Sequence, residues 1–182
     1  MTPAATRIAI RDARASDIPA ITDIYGYHVR RGTGSFEVAP PDEAEMSARI
    51  AAIVDGGYPW LVATHDDGVI AYAYAAPYRS RHGYRFTVED SVYVAQQARG
   101  KGTGAALLSR LIDICGARGD RQMVAVIGDS ANAASVALHA RAGFVHAGTL
   151  ANVGRKFERW LDVILMQRAL GEGHTAPPVE RE

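Results

Sequence analysis

Between an alternating run, Thr87–Val94, and a stretch rich in leucine and alanine, the chain places Arg99-Gly100-Lys101-Gly102-Thr103-Gly104. Glycine enters left-handed backbone without steric cost, so such a cluster between a strand and a helix folds as a tight turn with outward-facing amides. A turn of this kind, closed by a helix N-terminus, holds phosphate groups through backbone N–H donors and the positive end of the helix dipole. The spacing narrows the readings. A Walker A loop needs Ser or Thr directly after its lysine, and Lys101 is followed by Gly102. Gly100-x-Gly102-x-x-Ala105 meets the loose dinucleotide fingerprint. That fingerprint, however, follows its strand through a tight turn and normally opens its domain. Here Ala95-Gln96-Gln97-Ala98-Arg99 intervenes and several elements come first. A glycine-rich helix entry with no ligand is the bland alternative.

The remaining pattern predicts one α/β domain over residues 1–170, and 182 residues suffice for a single core. Ile8–Arg11 reads as a first strand. Ser16-Asp17-Ile18-Pro19 opens a helix with Ser16 as cap and proline in the first turn. Its apolar stripe is Ile21, Ile24, Tyr25, His28 and Val29, ending near Gly32. A second helix runs from Asp42 to Val54 with Met46, Ile50, Ile53 and Val54 inward, stopped by Gly56-Gly57. Trp60–Thr64 and Val69–Tyr74 form a hairpin about Asp66-Asp67-Gly68. After an arginine-rich loop, Tyr78–Tyr84, comes the strand Thr87–Val94, whose period of two puts Thr87, Glu89, Ser91 and Tyr93 on one face. The helix after the glycines carries Ala105 to Cys115. Met123–Ile127 is a buried-type strand, Asn132–Ala142 a short helix closed by Gly143, and Phe144–Leu150 and Trp160–Met166 two final strands. Gly171–Glu182 holds too little apolar surface to order itself. The order β-α-α-β-β-β-α-β-α-β-β implies a mixed sheet.

Charge and cysteine usage exclude whole classes. Twenty Lys and Arg against twenty Asp and Glu leave no basic footprint for nucleic acid. Cys115 is the single cysteine, so neither an intrachain disulfide nor a thiolate metal cage is available, and no metal is expected. Without a signal-type leader or an apolar run of about eighteen residues, the expected setting is the cytoplasm, with no membrane partner.

Val92-Tyr93-Val94 followed by Arg99-x-x-Gly102-x-Gly104-Ala105 resembles the central motif of the GNAT superfamily of N-acetyltransferases, where the loop binds the pyrophosphate of coenzyme A. Asn132-x-x-Ser135-x-x-Leu138-His139-x-x-x-Gly143-Phe144 is similar to the helix after that family's fifth strand. Most members carry tyrosine where this chain has His139. Histidine there is the pattern of the phosphinothricin and methionine sulfone or sulfoximine N-acetyltransferases. Tyr84 to Val94, Val124 to Gly128 and Gly154 to Val163 resemble the same branch, so the resemblance spans about residues 8–169. It implies a mixed, mostly antiparallel central sheet flanked by helices and splayed where acetyl-CoA lies. The herbicide-detoxifying enzymes have Trp-Lys in place of Tyr78-Arg79 and Tyr-Asp-Trp in place of Tyr84-Arg85-Phe86, so this loop is closer to the sulfone and sulfoximine type.

The resemblance implies acetyl transfer from acetyl-CoA, with detoxification as the role, to a small amino-acid amine. Such a reaction needs a neutral amine, a stabilised oxyanion and a protonated thiolate. Glu89, mid-strand, is the candidate base; a salt bridge to Arg79, Arg81 or Arg85 is its alternative. Asp90, on the opposite face, reads as structural or interfacial. The amide of Val94 is expected to face the thioester oxygen. His139 is expected to protonate the thiolate, or else to be a core residue. Cofactor contacts are expected from Val92, Tyr93, Val94, Arg99, Gly100, Lys101, Gly102, Thr103, Gly104, Ala105, Asn132 and Ser135. Arg79 and Arg81 suit a carboxylate, phosphinate or sulfone, with Tyr84, Phe36 and Thr87 beside them. Lys156 and Asn152 match positions that reach a neighbouring subunit in related enzymes, so a homodimer is expected, and Trp160 reads as core. A protein N-terminus or an aminoglycoside as acceptor, or a non-catalytic coenzyme A-binding module, are the alternatives.

Overall fold

A computed structural model of the chain describes residues 8–66 and 68–180. Seven strands form one open sheet in the order β1-β2-β3-β4-β5-β7-β6: β1 (Ala9–Asp12), β2 (Trp60–His65), β3 (Gly68–Pro77), β4 (Thr87–Val94), β5 (Gln122–Gly128), β6 (Val145–Lys156) and β7 (Arg159–Ala169). Every neighbouring pair is antiparallel except β4 and β5. The helices are α1 (Ile18–Arg31), α2 (Glu43–Asp55), α3 (Thr103–Ala117) and α4 (Ala133–Arg141).

Alternation within the strands separates two cores. Leu61, Ala63, Ala71, Ala73, Ala75 and Val88 turn to α3, against Leu107, Leu108, Leu111 and Cys115. Small alanines on β3 let α3 lie close to the sheet. The other face carries Trp60, Val62 and Tyr72, buried under Ile21, Ile24, Tyr25 and Val29 of α1 and Met46 of α2. Trp60 stacks on Tyr72 and Tyr74, with centroids 5.7 and 4.1 Å away. Because α1 and α2 cover only the β1–β4 side, the equivalent face of β5, β7 and β6 takes another cover, the segment between the two helices.

Several boundaries differ from the sequence reading. Ala15–Asp17 is a 3₁₀ turn, and Ser16 makes no capping bond; Asp17 instead accepts from the Arg14 N–H (2.7 Å) and pairs with Arg11 (2.7 Å). Asp42 is a cap, its Oδ1 accepting from the Glu45 N–H at 2.8 Å, while Val54 faces solvent rather than the core. The last two strands run longer than expected because β6 continues through a polar, irregular stretch with register shifts between Leu150 and Gly154. Trp160, expected in the core, is 63 % exposed on β7. At the β2–β3 hairpin Asp66 has φ +48°, and Asp67 lies outside the described residues, as do Met1 to Arg7 and the last two of the tail. Residues 171–180 run as turns and extended chain against the entry of β4 and β5, where Arg121 Nη2 donates to Pro177 O (3.0 Å) and Arg85 pairs with Glu180.

Candidate active site

The parallel pairing of β4 and β5 covers Thr87↔Gln122, Val88↔Met123, Glu89↔Val124 and Asp90↔Ala125, and there it stops. Both strands continue, so Ser91–Val94 stand opposite no strand on that side. Ala95 N–H donates to Ile70 O, toward β3. By the alternation of backbone direction along a strand, the N–H groups of Val94 and Val92 face the fork. The Val94 carbonyl is held separately: His28 Nε2 on α1 donates to it at 3.0 Å, and Arg99 Nε approaches at 3.5 Å. A carbonyl only accepts, so His28 Nε2 bears a proton, and burial lowers its pKa, aided by Arg99. The sequence shows His28 only as part of an apolar stripe; its partner lies 66 positions away.

The glycine turn opens beside the fork. Gly100 and Gly102 adopt φ +73° and +82°, and a Cβ at either would meet nothing within 4 Å, so space lies over the turn. The first bond of α3 runs from Ala106 N–H to Gly102 O, which leaves the N–H groups of Thr103, Gly104 and Ala105 unspent by the helix. A Cβ on Gly104 would stand in ordinary contact with Val94, Leu138 and Val92 at 3.4, 3.7 and 3.8 Å, so the first turn of α3 sits directly against the fork. Two expected contacts change character. The Thr103 side chain is buried, its hydroxyl without a partner, so that only its backbone faces the turn. Tyr93 points to the α1 side, edge-on to Tyr25 (5.1 Å) and stacked on Tyr72 (5.1 Å), which makes it a core residue. Arg99 and Lys101 are exposed. A cavity of about 610 Å³ continues from Ala105 and Leu138 along α3 and α4 to Arg141 and Arg168. A strand edge with unspent amides leading to an anion-type turn fits a long thioester ending in a pyrophosphate.

Glu89 stands half-buried on the face it shares with Thr87 and Ser91. Burial pushes its carboxyl up, the Asp90 charge adds to that, and Arg79 opposes it. No ion pair to Glu89 forms among the described residues: Arg85 is taken by Glu180, and Arg79 lies 4.8 Å over the Tyr78 ring. Arg79, Arg81 and Tyr84 all stand exposed on their loop, Tyr84 edge-on to Tyr78 at 5.8 Å.

The segment between α1 and α2 forms a wall over β5 and β6. Thr33 Oγ1 donates to Asp129 Oδ2 (2.7 Å), Tyr25 OH donates to Glu37 Oε1 (2.8 Å), and Arg49 pairs with Glu37 (2.7 Å). Phe36 lies on Gly154 and Gly128, where a Cβ would overlap its ring. Lys156 donates from Nζ to Ser35 O at 2.7 Å and is 4 % exposed. Within its own chain Lys156 is thus folded back onto the wall, one of its three N–H groups donated to Ser35, rather than extended toward solvent where a neighbouring subunit would lie. Asn152 is exposed at φ +56°, its N–H bonded to Asp162 Oδ1 (2.9 Å).

Asn132 caps α4, its Oδ1 accepting from the Ser135 N–H at 3.3 Å. One turn on, His139 is buried. Its Nδ1 lies 2.7 Å from Ser135 O and its Nε2 2.9 Å from Asp90 Oδ2. Burial lowers its proton affinity, but the Asp90 hydrogen bond and charge, with the Ser135 carbonyl, raise it on balance. Neither ring nitrogen is left over for a departing thiolate, which corrects that expectation. Among the described residues no three His, Cys, Asp or Glu side chains gather as a metal site, and no helix is long and apolar enough to cross a membrane.

Residues 22–144 match the Acetyltransferase (GNAT) family. The chain is 54 % identical over 169 residues to the phosphinothricin N-acetyltransferase of Alcaligenes faecalis, covering 93 % of this chain and 86 % of that protein. It is 44 % identical over 170 residues to the L-methionine sulfoximine/L-methionine sulfone acetyltransferase of Pseudomonas paraeruginosa, covering 93 % and 98 %. Whole-chain identity thus ranks these two in the opposite order to the loop motif. A crystal structure of a GNAT superfamily phosphinothricin acetyltransferase from Sinorhizobium meliloti in complex with AcCoA superimposes with a TM-score of 0.92 at 48 % identity, over 95 % of this chain and 94 % of that one.

Proposed function

Because the chain belongs to the GNAT family of acetyltransferases, we propose that it acetylates the α-amino group of a small amino acid with acetyl-CoA as donor. The acceptor class is that of phosphinothricin, methionine sulfone and methionine sulfoximine, on which relatives of this chain act. The observation that carries this reading is the fork between β4 and β5 beside the open turn at Gly100 and Gly102, with Glu89 one face away.

Acetyl-CoA supplies the acyl thioester. The amide of Val92 bonds the pantetheine arm along the strand edge, leaving the Val94 N–H for the thioester oxygen; Asn132 offers its Nδ2, and Ser135 holds the Asn132 cap in place. The backbone from Gly100 to Ala105 receives the pyrophosphate, helped by Arg99 and Lys101. Glu89 takes the proton of the acceptor ammonium, directly or through one water. The neutral nitrogen then bonds the carbonyl carbon while the Val94 N–H donates to the developing oxyanion; the nitrogen gives up its second proton to water, and the oxyanion collapses with breaking of the C–S bond. With both nitrogens of His139 engaged, the thiolate, a tolerable leaving group near neutral pH, takes its proton from solvent. Arg79 and Arg81 bind the acceptor's carboxylate or its second, tetrahedral oxygen-bearing group, and Phe36, Tyr84 and Thr87 bound the acceptor's space. Acetylation removes the amine's charge, which suits detoxification of such analogues.

Purified protein mixed with acetyl-CoA and a thiol reagent is expected to release thiol with at least one of the three amino acids and not with an aminoglycoside or an N-terminal peptide. Release with none of the three overturns the acceptor class. Release only with the peptide or the aminoglycoside replaces it.

A homodimer is part of this reading. Leu150, Val153, Phe157 and Trp160 are exposed along the β6–β7 hairpin, at the open edge of the sheet. Trp160→Glu is expected to turn a dimer into a monomer by light scattering at micromolar concentration. A monomeric parent protein under those conditions sinks the dimer.

A further inference from the structure

Asp90 is the last β4 residue paired with β5, and it sits at the point where the sheet divides. Its side chain is 1 % exposed, with Oδ2 held by His139 Nε2 and Oδ1 without a partner. A buried carboxylate with one unsatisfied oxygen is costly unless a charge is paired with it. His139 meets that need. Its Nδ1 must carry a proton, since Ser135 O can only accept. With Asp90 as a carboxylate, Nε2 donates to it as well and the ring is an imidazolium; Phe144 stands edge-on to it at 5.1 Å. The bond spans 49 positions and ties α4, capped by Asn132 and with Leu138 beside Gly104, to the crotch of the fork.

Glu89 and Asp90 are consecutive, with side chains on opposite faces of β4. The charged and titratable groups acting on Glu89 are Asp90 on its own strand, Arg79 from the loop after β3, and Tyr74 on β3. On the His139 side they are Asp90 and the Ser135 carbonyl. We propose that Asp90 and His139 are a positioning pair for the acetyl transfer: their ion pair pins α4 to β4 where the fork opens, and the Asp90 charge strengthens the hold of Glu89 on the substrate proton. This deepens the proposed function and rests on Glu89 being the base.

Two measurements separate the pair from that reading. Histidine ring ¹⁵N spectra of the protein without substrate are expected to show both His139 nitrogens protonated at pH 7.5, and a neutral ring in Asp90→Asn. A neutral ring in the parent protein, or a titration that Asp90→Asn leaves in place, overturns the pair. The acid limb of the kcat/KM profile is expected to fall by about half a pH unit in Asp90→Asn, because the like charge on the residue next to Glu89 is removed and the His139 charge lost with it offsets only part of the effect. His139→Gln keeps a hydrogen-bond donor to Asp90 without the charge, and is expected to move the limb upward while raising the KM for acetyl-CoA severalfold. A limb that stays put in both variants, yet disappears in Glu89→Gln, overturns the tuning role. A limb that survives Glu89→Gln removes Glu89 as base and the tuning with it, while the spectra still judge the ion pair.

Discussion

Glu89→Gln is expected to lower kcat by roughly 10²–10⁴-fold, the range contributed by a positioned general base. The amide keeps the shape of the side chain and cannot take a proton, so stability and the KM for acetyl-CoA should hardly change. The pH profile is the sharper readout. Burial and the Asp90 charge both push the Glu89 carboxyl up from the ordinary carboxylate range, and Arg79 opposes them. Activity in the parent protein therefore rises as pH climbs through that raised value, when the carboxylate that accepts the proton forms. In Glu89→Gln this limb is expected to give way to one at higher pH, set by the acceptor's own ammonium. An unchanged limb with unchanged kcat would falsify the assignment.

Gly154→Ala is expected to destabilise the protein by about 1–3 kcal/mol, the usual cost of overpacking. The sign is informative. In a strand, alanine in place of glycine lowers the entropy lost on folding and normally gains stability. Here a Cβ would overlap the Phe36 ring, which lies on Gly154 and Gly128. The wall between α1 and α2 must then shift, although Lys156, Asp129 and Arg49 hold it on both sides of the ring. Thermal melts of Gly154→Ala, Phe36→Ala and the double variant form a cycle in which the alanine is expected to cost little or nothing once the ring is gone. Equal costs in both backgrounds would show that the ring is not the obstacle. Acceptor KM should rise with the loss of stability, while the KM for acetyl-CoA stays put.

The parts of this molecule that are local in sequence could be read from it. Tyr72 and Tyr74 alternate with Ala71, Ala73 and Ala75, and the two cores divide along that alternation. The glycine turn was legible because positive φ at Gly100 and Gly102 leaves a compositional trace. Period two placed Asp90 away from Glu89, as found. What the sequence concealed is pairing at a distance. Nothing near His139 announces Asp90, nothing near His28 announces Val94, and nothing near Lys156 announces Ser35, because each partner is chosen by topology rather than by spacing. Trp160 misled for the related reason that hydrophobic composition predicts burial only on average, and β7 lies next to the sheet's open edge.

The short β4–β5 ladder also bears on how firmly the chain is sewn together. Four residue pairs form its seam, joining segments 35 positions apart, and beyond the seam the two halves diverge. Such a junction is the slow, entropically demanding stitch of an otherwise hairpin-built sheet, and in the finished fold it is the line along which the halves separate most readily. A molecule laid in the fork, bonding to Val92 and Val94 on one side, lengthens that stitch. Its binding would be felt as cohesion across the whole sheet as well as affinity at one edge.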